Sequence, residues 1–555
     1  MTGSNEPYMP QALPNIVVFF ADNLGYADVG AFGSPAAVTP NIDRLAAEGV
    51  RLTNWNSGEA LCSPSRAALL TGRLAVRTGV FPHTFRLDAS RGLPANETTM
   101  AEYLRDAGYR TGMLGKWHLG QRPRYLPTRR GFDEYVGVPY SMDMGSLDGH
   151  GRHCAYDVNS SLWLPLLHNE TIVEQPVVVE TLTPRYASFA RAFMQRWAHR
   201  KPFFLYVAFS HVHQLCAPGR GQWASPAFAN SSGVSPFEDA VAEMDWLTGQ
   251  VMEAQAVLRL DMSTLTLWTS DNGPWTAEQQ QAGSTGPFQA SWFREHAPVG
   301  CYACPGGYVH SPTAARPARC ICTATAAVAV AGSAIVGDVD GVACGDDVGL
   351  GSTWEANLRL PAIARWPKRI RSGSASRELV STLDVLPTVL ALARVEPPPT
   401  RTFDGIDIST ILFTAQEDGH RQSFGPSPDR PLFFWRDGGA TAPAEWVTQA
   451  SPAVPPAHAP QLFAVKIGRY KAHLQTKSAT GSDAAVVHDP PLLFDVLADP
   501  AEQFPLDVLQ HTVLVRQVKT AAQTHMQSIE WAQPLTIETD YRYAICANAS
   551  NACRL

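Results

Sequence analysis

Asn15-Ile16-Val17-Val18-Phe19-Phe20-Ala21, followed at once by Asp22-Asn23-Leu24-Gly25, is the stretch on which the fold turns. A run of apolar residues without alternation is expected of a strand buried on both faces, as in a parallel sheet covered by helices. The polar turn falls at the strand's carboxyl end. Two other stretches repeat this arrangement. Phe203-Phe-Leu-Tyr-Val-Ala-Phe209 ends at Ser210-His211-Val212-His213, and Thr264-Leu-Thr-Leu-Trp-Thr269 ends at Ser270-Asp271-Asn272-Gly273. Helical patterns over 41–49, 100–107 and 237–257 lie between them, with a further strand over 109–114. Strands alternating with helices define an α/β sheet. In open α/β sheets ligands sit beyond the carboxyl ends of the strands. One polar pair there is an ordinary turn former; three at the same edge of one sheet point to a site.

The rest of the composition narrows the class. The chain has 555 residues, 44 Lys+Arg against 51 Asp+Glu, a net charge of −7, 45% hydrophobic and 17% charged residues. That profile is globular and excludes a mostly disordered chain. A mild negative charge without basic blocks argues against nucleic acid as a partner. No run of about 20 apolar residues exists, so no membrane span is expected; the longest candidate, 323–337, is short and made mostly of Ala, Val and Gly. Residues 1–14 are polar and show no basic region followed by an apolar core, so no signal peptide is recognised in them. Five N-x-Ser/Thr sequons, at Asn96, Asn159, Asn169, Asn230 and Asn548, nevertheless fit a secretory-pathway protein. Of ten cysteines, five lie between 301 and 344; Cys301-x-x-Cys304 with Cys320-x-Cys322 matches no common zinc module, and Cys546 and Cys553 could close a short loop.

The expected organisation is an N-terminal segment over 1–14, a catalytic α/β domain over 15–415 and a smaller α+β domain over 416–555. The first domain closes after a helix over 381–393 and the Pro397-Pro-Pro399 punctuation; the second carries short strand-like pieces at 432–435, 462–465 and 470–473. One segment, about 290–349, is rich in Ala, Gly, Val, Cys and Pro and has no lysine and no period. Some 60 structureless residues do not belong inside a compact domain. The segment reads as an insertion: translated intron from a faulty gene model, or a genuine surface insertion, expected to lie loosely packed outside the sheet.

The strongest chemical signal is Cys62-Ser63-Pro64-Ser65-Arg66-Ala67-Ala68-Leu69-Leu70-Thr71-Gly72-Arg73. It resembles the signature of the sulfatase family, as does Gly115-Lys116-Trp117-His118-Leu119-Gly120. The resemblance covers 15–286 and 353–505. Within the family it leans to the arylsulfatase A and N-acetylgalactosamine-6-sulfatase branch, to which Pro490-Pro-Leu-Leu-Phe-Asp495 is similar. The resemblance implies an alkaline-phosphatase-like fold with a large mixed sheet, and hydrolysis of a sulfate monoester of an aryl alcohol, sugar or lipid. It also implies a lysosomal or extracellular location, and a formylglycine-generating enzyme as maturation partner.

On that resemblance Cys62 is oxidised to formylglycine, whose hydrate offers two hydroxyls. One attacks sulfur, its pKa lowered by a bound cation; loss of the other's proton lets the adduct collapse and expel sulfate. A serine could do only the first step. The implied metal is Ca²⁺, held by Asp22, Asn23, Asp271, Asn272 and the oxygen at residue 62. An all-oxygen set suits a hard cation and not zinc. Arg66, one helical turn beyond Cys62, can hold the diol or the metal-site carboxylates. Lys116 is expected to neutralise a sulfate oxygen, His118 to hydrogen-bond the diol, and His213 to bind sulfate or protonate the leaving alkoxide. His211 is read as a structural neighbour of His213.

Three departures stand out, the mildest being Ala356-Asn357 where the family pattern is similar to Gly-Gly. Asn23 occupies a position where the family usually has Asp, which predicts weaker metal affinity. In Gly349-Leu350-Gly351-Ser352-Thr353-Trp354-Glu355, Leu350 stands where the family has a sulfate-binding lysine, which predicts impaired activity. Two rival readings stay open: a non-catalytic glycoprotein that binds sulfate esters, and a phosphate or phosphonate ester hydrolase of the same fold. The Cys-x-Pro-Ser-Arg motif argues against the second, whose members commonly carry Thr or Ser as nucleophile.

Overall fold

The computed structural model describes residues 13–145, 163–215, 224–276, 282–296, 348–415, 430–437, 459–479 and 485–545, together with the backbone of three short strands between 308 and 343. Its centre is a ten-stranded mixed sheet. Four parallel strands carry the site: β1 (Asn15–Ala21), β2 (Arg110–Gly115), β3 (Phe203–Ala208) and β4 (Thr264–Ser270), in spatial order β4-β1-β3-β2. Ile16, Val18 and Phe20 of β1 enter the core on one face; Val17, Phe19 and Ala21 enter the core on the other. Period-two alternation between two apolar layers explains the unbroken apolar run.

The sheet widens through short strands. Ile363–Arg365 pairs antiparallel with β4 and with Val50–Leu52, while Glu134–Gly137, Leu166–His168 and Thr171–Glu174 extend it beyond β2. Helices cover it, among them Pro40–Ala47, Met100–Asp106, Leu182–Trp197, Pro236–Val257 and Val385–Ala393. A second, four-stranded antiparallel sheet follows in meander order: Pro431–Asp437, Pro460–Ile467, Tyr470–Thr476 and Val486–Asp495, with the Thr512–Ser528 helix against it.

Buried charge joins the two sheets. Glu355 receives Lys466 Nζ at 2.7 Å, Lys471 Nζ at 3.1 Å and Arg359 Nη2 at 2.7 Å, all without solvent exposure worth the name. Lys471 and His473 also reach Glu502. Removing one partner of such a buried set leaves an uncompensated charge, at about 3–5 kcal/mol.

The segment expected to be structureless from about 290 is packed at both ends. Ser291–His296 is helical, and Ala290, Phe293 and Val348 are buried with Trp354. The aromatic and aliphatic side chains at these ends give it core to join, which its composition as a whole obscured. The apolar stretch 323–337, the zinc-like cysteine group and the Cys546/Cys553 loop lie outside the residues whose side chains are described. Among the described residues no helix is long and apolar enough to cross a membrane.

Candidate active site

The carboxyl edge of the central strands assembles the site by register. Ala21 pairs with Ser270, so Asp22 and Asp271 leave the sheet side by side. Asp271 N donates to Ala21 O at 3.1 Å; Asp22 N donates to His211 O and Val212 N to Asp22 O, both at 2.9 Å. At the end of β2, Gly115 has φ +96°, and a Cβ there would meet Ala208 O at 1.6 Å. Only glycine fits, and this turn delivers Lys116 to the same edge, its N–H on Ala208 O at 2.8 Å.

Cys62 opens the Cys62–Thr71 helix, every residue of which is buried. Its first turn is pinned to neighbouring loops: Ser63 Oγ donates to His118 O at 2.7 Å and Ser65 Oγ to Glu59 O at 3.0 Å. The Cys62 thiol lies 3.7 Å from Asp22 Oδ1 and 3.6 Å from Asn23 Oδ1. One turn on, Arg66 donates to Asp271 Oδ2 at 2.8 Å and lies 3.4 Å from Asp22 Oδ1. Of the two roles open to Arg66, the structure displays the carboxylate one. Lys116 Nζ meets Asp22 at 2.7 and 2.9 Å and Ser141 Oγ at 3.1 Å.

Electrostatics follow from these distances. Burial opposes the charge of Asp22, yet Lys116, His213 and Arg66 outweigh it and hold the carboxyl well below the usual range. Burial likewise opposes the charge of Lys116, and Asp22 overcomes it, raising the ammonium's pKa. Burial pushes the Cys62 thiol far up, helped by Asp271 and Asp22, so the unmodified side chain is no thiolate nucleophile.

The histidines divide by role. His118 Nε2 lies 2.9 Å from Phe85 O, which can only accept, so Nε2 carries the hydrogen. Its buried Nδ1 has no partner and remains an acceptor; burial and the Lys116 and Arg66 charges hold the ring neutral. His213 Nδ1 lies 3.0 Å from Gln214 O, and Nε2 lies 3.8 Å from Asp143 Oδ1. His211, in contrast, turns its Nε2 toward Glu243 of the Pro236–Val257 helix, 3.9 Å away, and burial pushes its pKa down to about 4.

Ser141 and Asp143 carry no signal in the sequence, and Asn357 showed there only as a departure from the family pattern. Asn357 accepts the Gly273 N–H through Oδ1 and donates to Ala60 O, bracing both arms of the site. Leu350, where the family lysine was expected, is half-buried; its N–H donates to Pro274 O. It lines a cavity of about 530 Å³ with Leu61, Pro64, Phe81, Trp275 and Trp435.

The donors suit a hard cation. Ligand atoms of Asp22, Cys62 and Asp271 lie within 4.8 Å of one another. Asn272 Oδ1 is buried without any hydrogen-bond partner, an orphaned oxygen beside two carboxylates. Asn23 Oδ1 takes a hydrogen bond from Asn272 Nδ2 at 2.7 Å.

Comparison with known proteins identifies the family. The Sulfatase family's sequence model matches residues 14–395, and that for the C-terminal region of aryl-sulfatase matches 427–555. Arylsulfatase G of Canis lupus familiaris is 36% identical over 522 residues, covering 89% of this chain and 81% of its own. Arylsulfatase A of Homo sapiens is 35% identical over 513 residues, with 89% and 83% covered. A crystallised sulfatase from Pseudoalteromonas sp. superposes with a TM-score of 0.68 at 23% identity, covering 95% of this chain and 92% of its own, which bears on the fold. The chain belongs to the sulfatase family, and as such it is a sulfuric ester hydrolase.

Proposed function

We propose that this sulfatase cleaves a sulfate monoester with a formylglycine at residue 62 and a Ca²⁺ ion held by Asp22, Asn23, Asp271 and Asn272. The observation that carries the reading is the placement of Cys62 at a helix N-terminus, its sulfur 3.7 Å from Asp22, with Arg66 one turn on bound to Asp271. When bound, the cation lowers the pKa of the attacking hydroxyl and screens the incoming anion.

The chain's own residues account for the rest. Two carboxylates, Asp22 and Asp271, face two buried cations, Arg66 and Lys116. This balance is neutral, so a divalent ion turns the pocket positive and draws in an anionic ester. Lys116 offers its charge to a sulfate oxygen while Ser141 steadies its ammonium. His118, with its hydrogen fixed on Nε2, presents the Nδ1 lone pair that accepts a hydroxyl proton from residue 62. His213 protonates the departing oxygen at Nε2. Leu350 adds no charge, and activity is lowered accordingly. The cavity beyond it takes the alcohol part, aryl, sugar or lipid.

In the same reading residues 15–415 form the catalytic unit and 416–555 the smaller one. The formylglycine-generating enzyme acts on the Cys62 peptide before folding, because every residue of that helix is buried afterwards. Exposed Asn96 and Asn230 are glycan acceptors of a lysosomal or secreted protein.

Peptide mass spectrometry of residue 62 in protein from a secreting host tests the proposal. Conversion of Cys62 together with hydrolysis of 4-nitrophenyl sulfate is expected. An active preparation carrying only the thiol would sink the nucleophile; a fully converted, inactive one would favour the non-catalytic reading that Leu350 suggests.

A further inference from the structure

Asp143 enters the site from the loop after the Glu134–Gly137 strand, two residues past Ser141. Its Oδ1 is buried, makes no hydrogen bond and lies 3.8 Å from His213 Nε2. Their side chains are 12% and 5% exposed. A buried carboxylate oxygen without a donor is costly, unless a charge beside it compensates.

His213 is the group able to compensate. Its Nδ1 faces Gln214 O at 3.0 Å, and a carbonyl only accepts, so Nδ1 keeps its hydrogen. Nε2 is therefore the nitrogen left open to the site, and it is the one facing Asp143. The Trp275 ring, centroid 6.0 Å away and tilted by 56°, covers the imidazole without offering charge. Among the described residues, the other charges near the ring are Asp22, whose carboxyl feels His213, and the Lys116 and Arg66 that neutralise Asp22.

Building on the sulfatase reading above, we propose that Asp143 is a positioning residue that orients the His213 ring so that Nε2 delivers a proton to the departing oxygen. In the step it serves, the bond between sulfur and the ester oxygen breaks with its electron pair staying on that oxygen. The Nε2 proton passes to the same oxygen to give the free alcohol, and the sulfuryl group passes to the attacking oxygen at residue 62, which has already lost its proton to solvent. His213 is left neutral and regains its proton from solvent.

A role of this kind depends on how badly the leaving group needs a proton. We would compare wild type, Asp143→Asn, Asp143→Glu, His213→Gln and the Asp143→Asn/His213→Gln double variant on a series of sulfate esters, from 4-nitrophenyl to alkyl, in calcium buffer. Asp143→Asn should lose about 10–100-fold in kcat on alkyl esters, within the range of general-acid effects, and less than about 3-fold on 4-nitrophenyl sulfate. Asp143→Glu should recover part of the loss, and adding Asp143→Asn to His213→Gln should cost nothing further.

An equal loss on every ester, or a full additional loss in the His213→Gln background, would overturn the assignment. Should Asp143→Asn not fold, Asp143→Glu carries the comparison, with a steeper dependence on leaving-group acidity expected and an unchanged one contradicting it. An inactive wild type would remove the sulfatase reading itself; an active wild type with an unchanged leaving-group dependence in the variants removes only the Asp143 role.

Discussion

Lys116 grips both carboxylate oxygens of Asp22, at 2.7 and 2.9 Å, and neither side chain has any exposure. The two arrive from different strands of the sheet, so this contact fixes the width of the site as well as its charge. Lys116→Met should leave Asp22 buried with Arg66 as its one remaining ion-pair partner among the described residues. Breaking a buried pair from one side costs about 3–5 kcal/mol. The melting temperature should fall, and kcat should drop by about 10²–10³, the scale of one lost electrostatic donor at a reacting centre. Differential scanning fluorimetry and steady-state rates would check both; a variant as stable and active as the parent would contradict the role.

Calcium should stabilise the protein in proportion to its occupancy. Two carboxylates and the unpartnered Asn272 Oδ1 form an oxygen-rich pocket, and binding to the folded state alone raises stability as RT ln(1 + [L]/Kd). The melting temperature should rise with added Ca²⁺ and fall with a chelator. Asp271→Asn should abolish that increment, because it removes a ligand charge from the site. Asn23→Asp should tighten binding by adding one. Calorimetric titration reads these effects without reference to turnover.

Much of this site was legible in the sequence because its residues follow the ends of long apolar strands or sit in one dense motif. The strand ends alone pointed to Asp22, Asp271 and the His211/His213 pair, whereas Cys62, Arg66 and the choice of His213 over His211 came from the resemblance to the sulfatase motifs. Ser141 and Asp143 escaped because the strand before them, Glu134–Gly137, is four residues long and no periodic signal announces its end. The outer strands, such as Val50–Leu52, escaped for the same reason. His118 was readable as a site residue, but its tautomer depends on Phe85 O, a backbone atom distant in sequence. The Glu355 network was hidden because lysines 466 and 471 read as ordinary strand charges until the second sheet docks on the first.

Leu350 tests the missing charge directly. Its half-buried side chain sits in the wall of the cavity next to Leu61 and Pro64, so a lysine there has room to extend. Leu350→Lys should raise kcat/KM on 4-nitrophenyl sulfate by about two orders of magnitude, with the melting temperature nearly unchanged. No gain would mean that another group already supplies the charge.

Glu59 should set the alkaline side of the stability profile. It is buried, and its Oε1 accepts the Ala75 N–H at 2.6 Å. Burial pushes its carboxyl from 4.5 up to about 8. The folded protein therefore keeps a proton there that the unfolded chain has already lost. Such a group contributes stability fully below its unfolded pKa, and that contribution fades as pH rises through the folded one. Asp28, pushed up to about 7, acts in the same direction. His211, His488 and His525, held by burial at about 4, 4 and 3, act in the opposite direction. Their effect fades above the ordinary imidazole pKa of about 6.5. Among the described residues the carboxyls of Glu59 and Asp28 act most strongly from about pH 7 to 8.5, at up to ~1.4 kcal/mol per pH unit for each full proton. The melting temperature should fall across that window. Glu59→Gln keeps the acceptor for Ala75 and has no proton to lose, so it should flatten most of the fall while matching wild type near pH 6.5. An alkaline slope in Glu59→Gln equal to that of the parent would show that Glu59 is ionised in the folded protein.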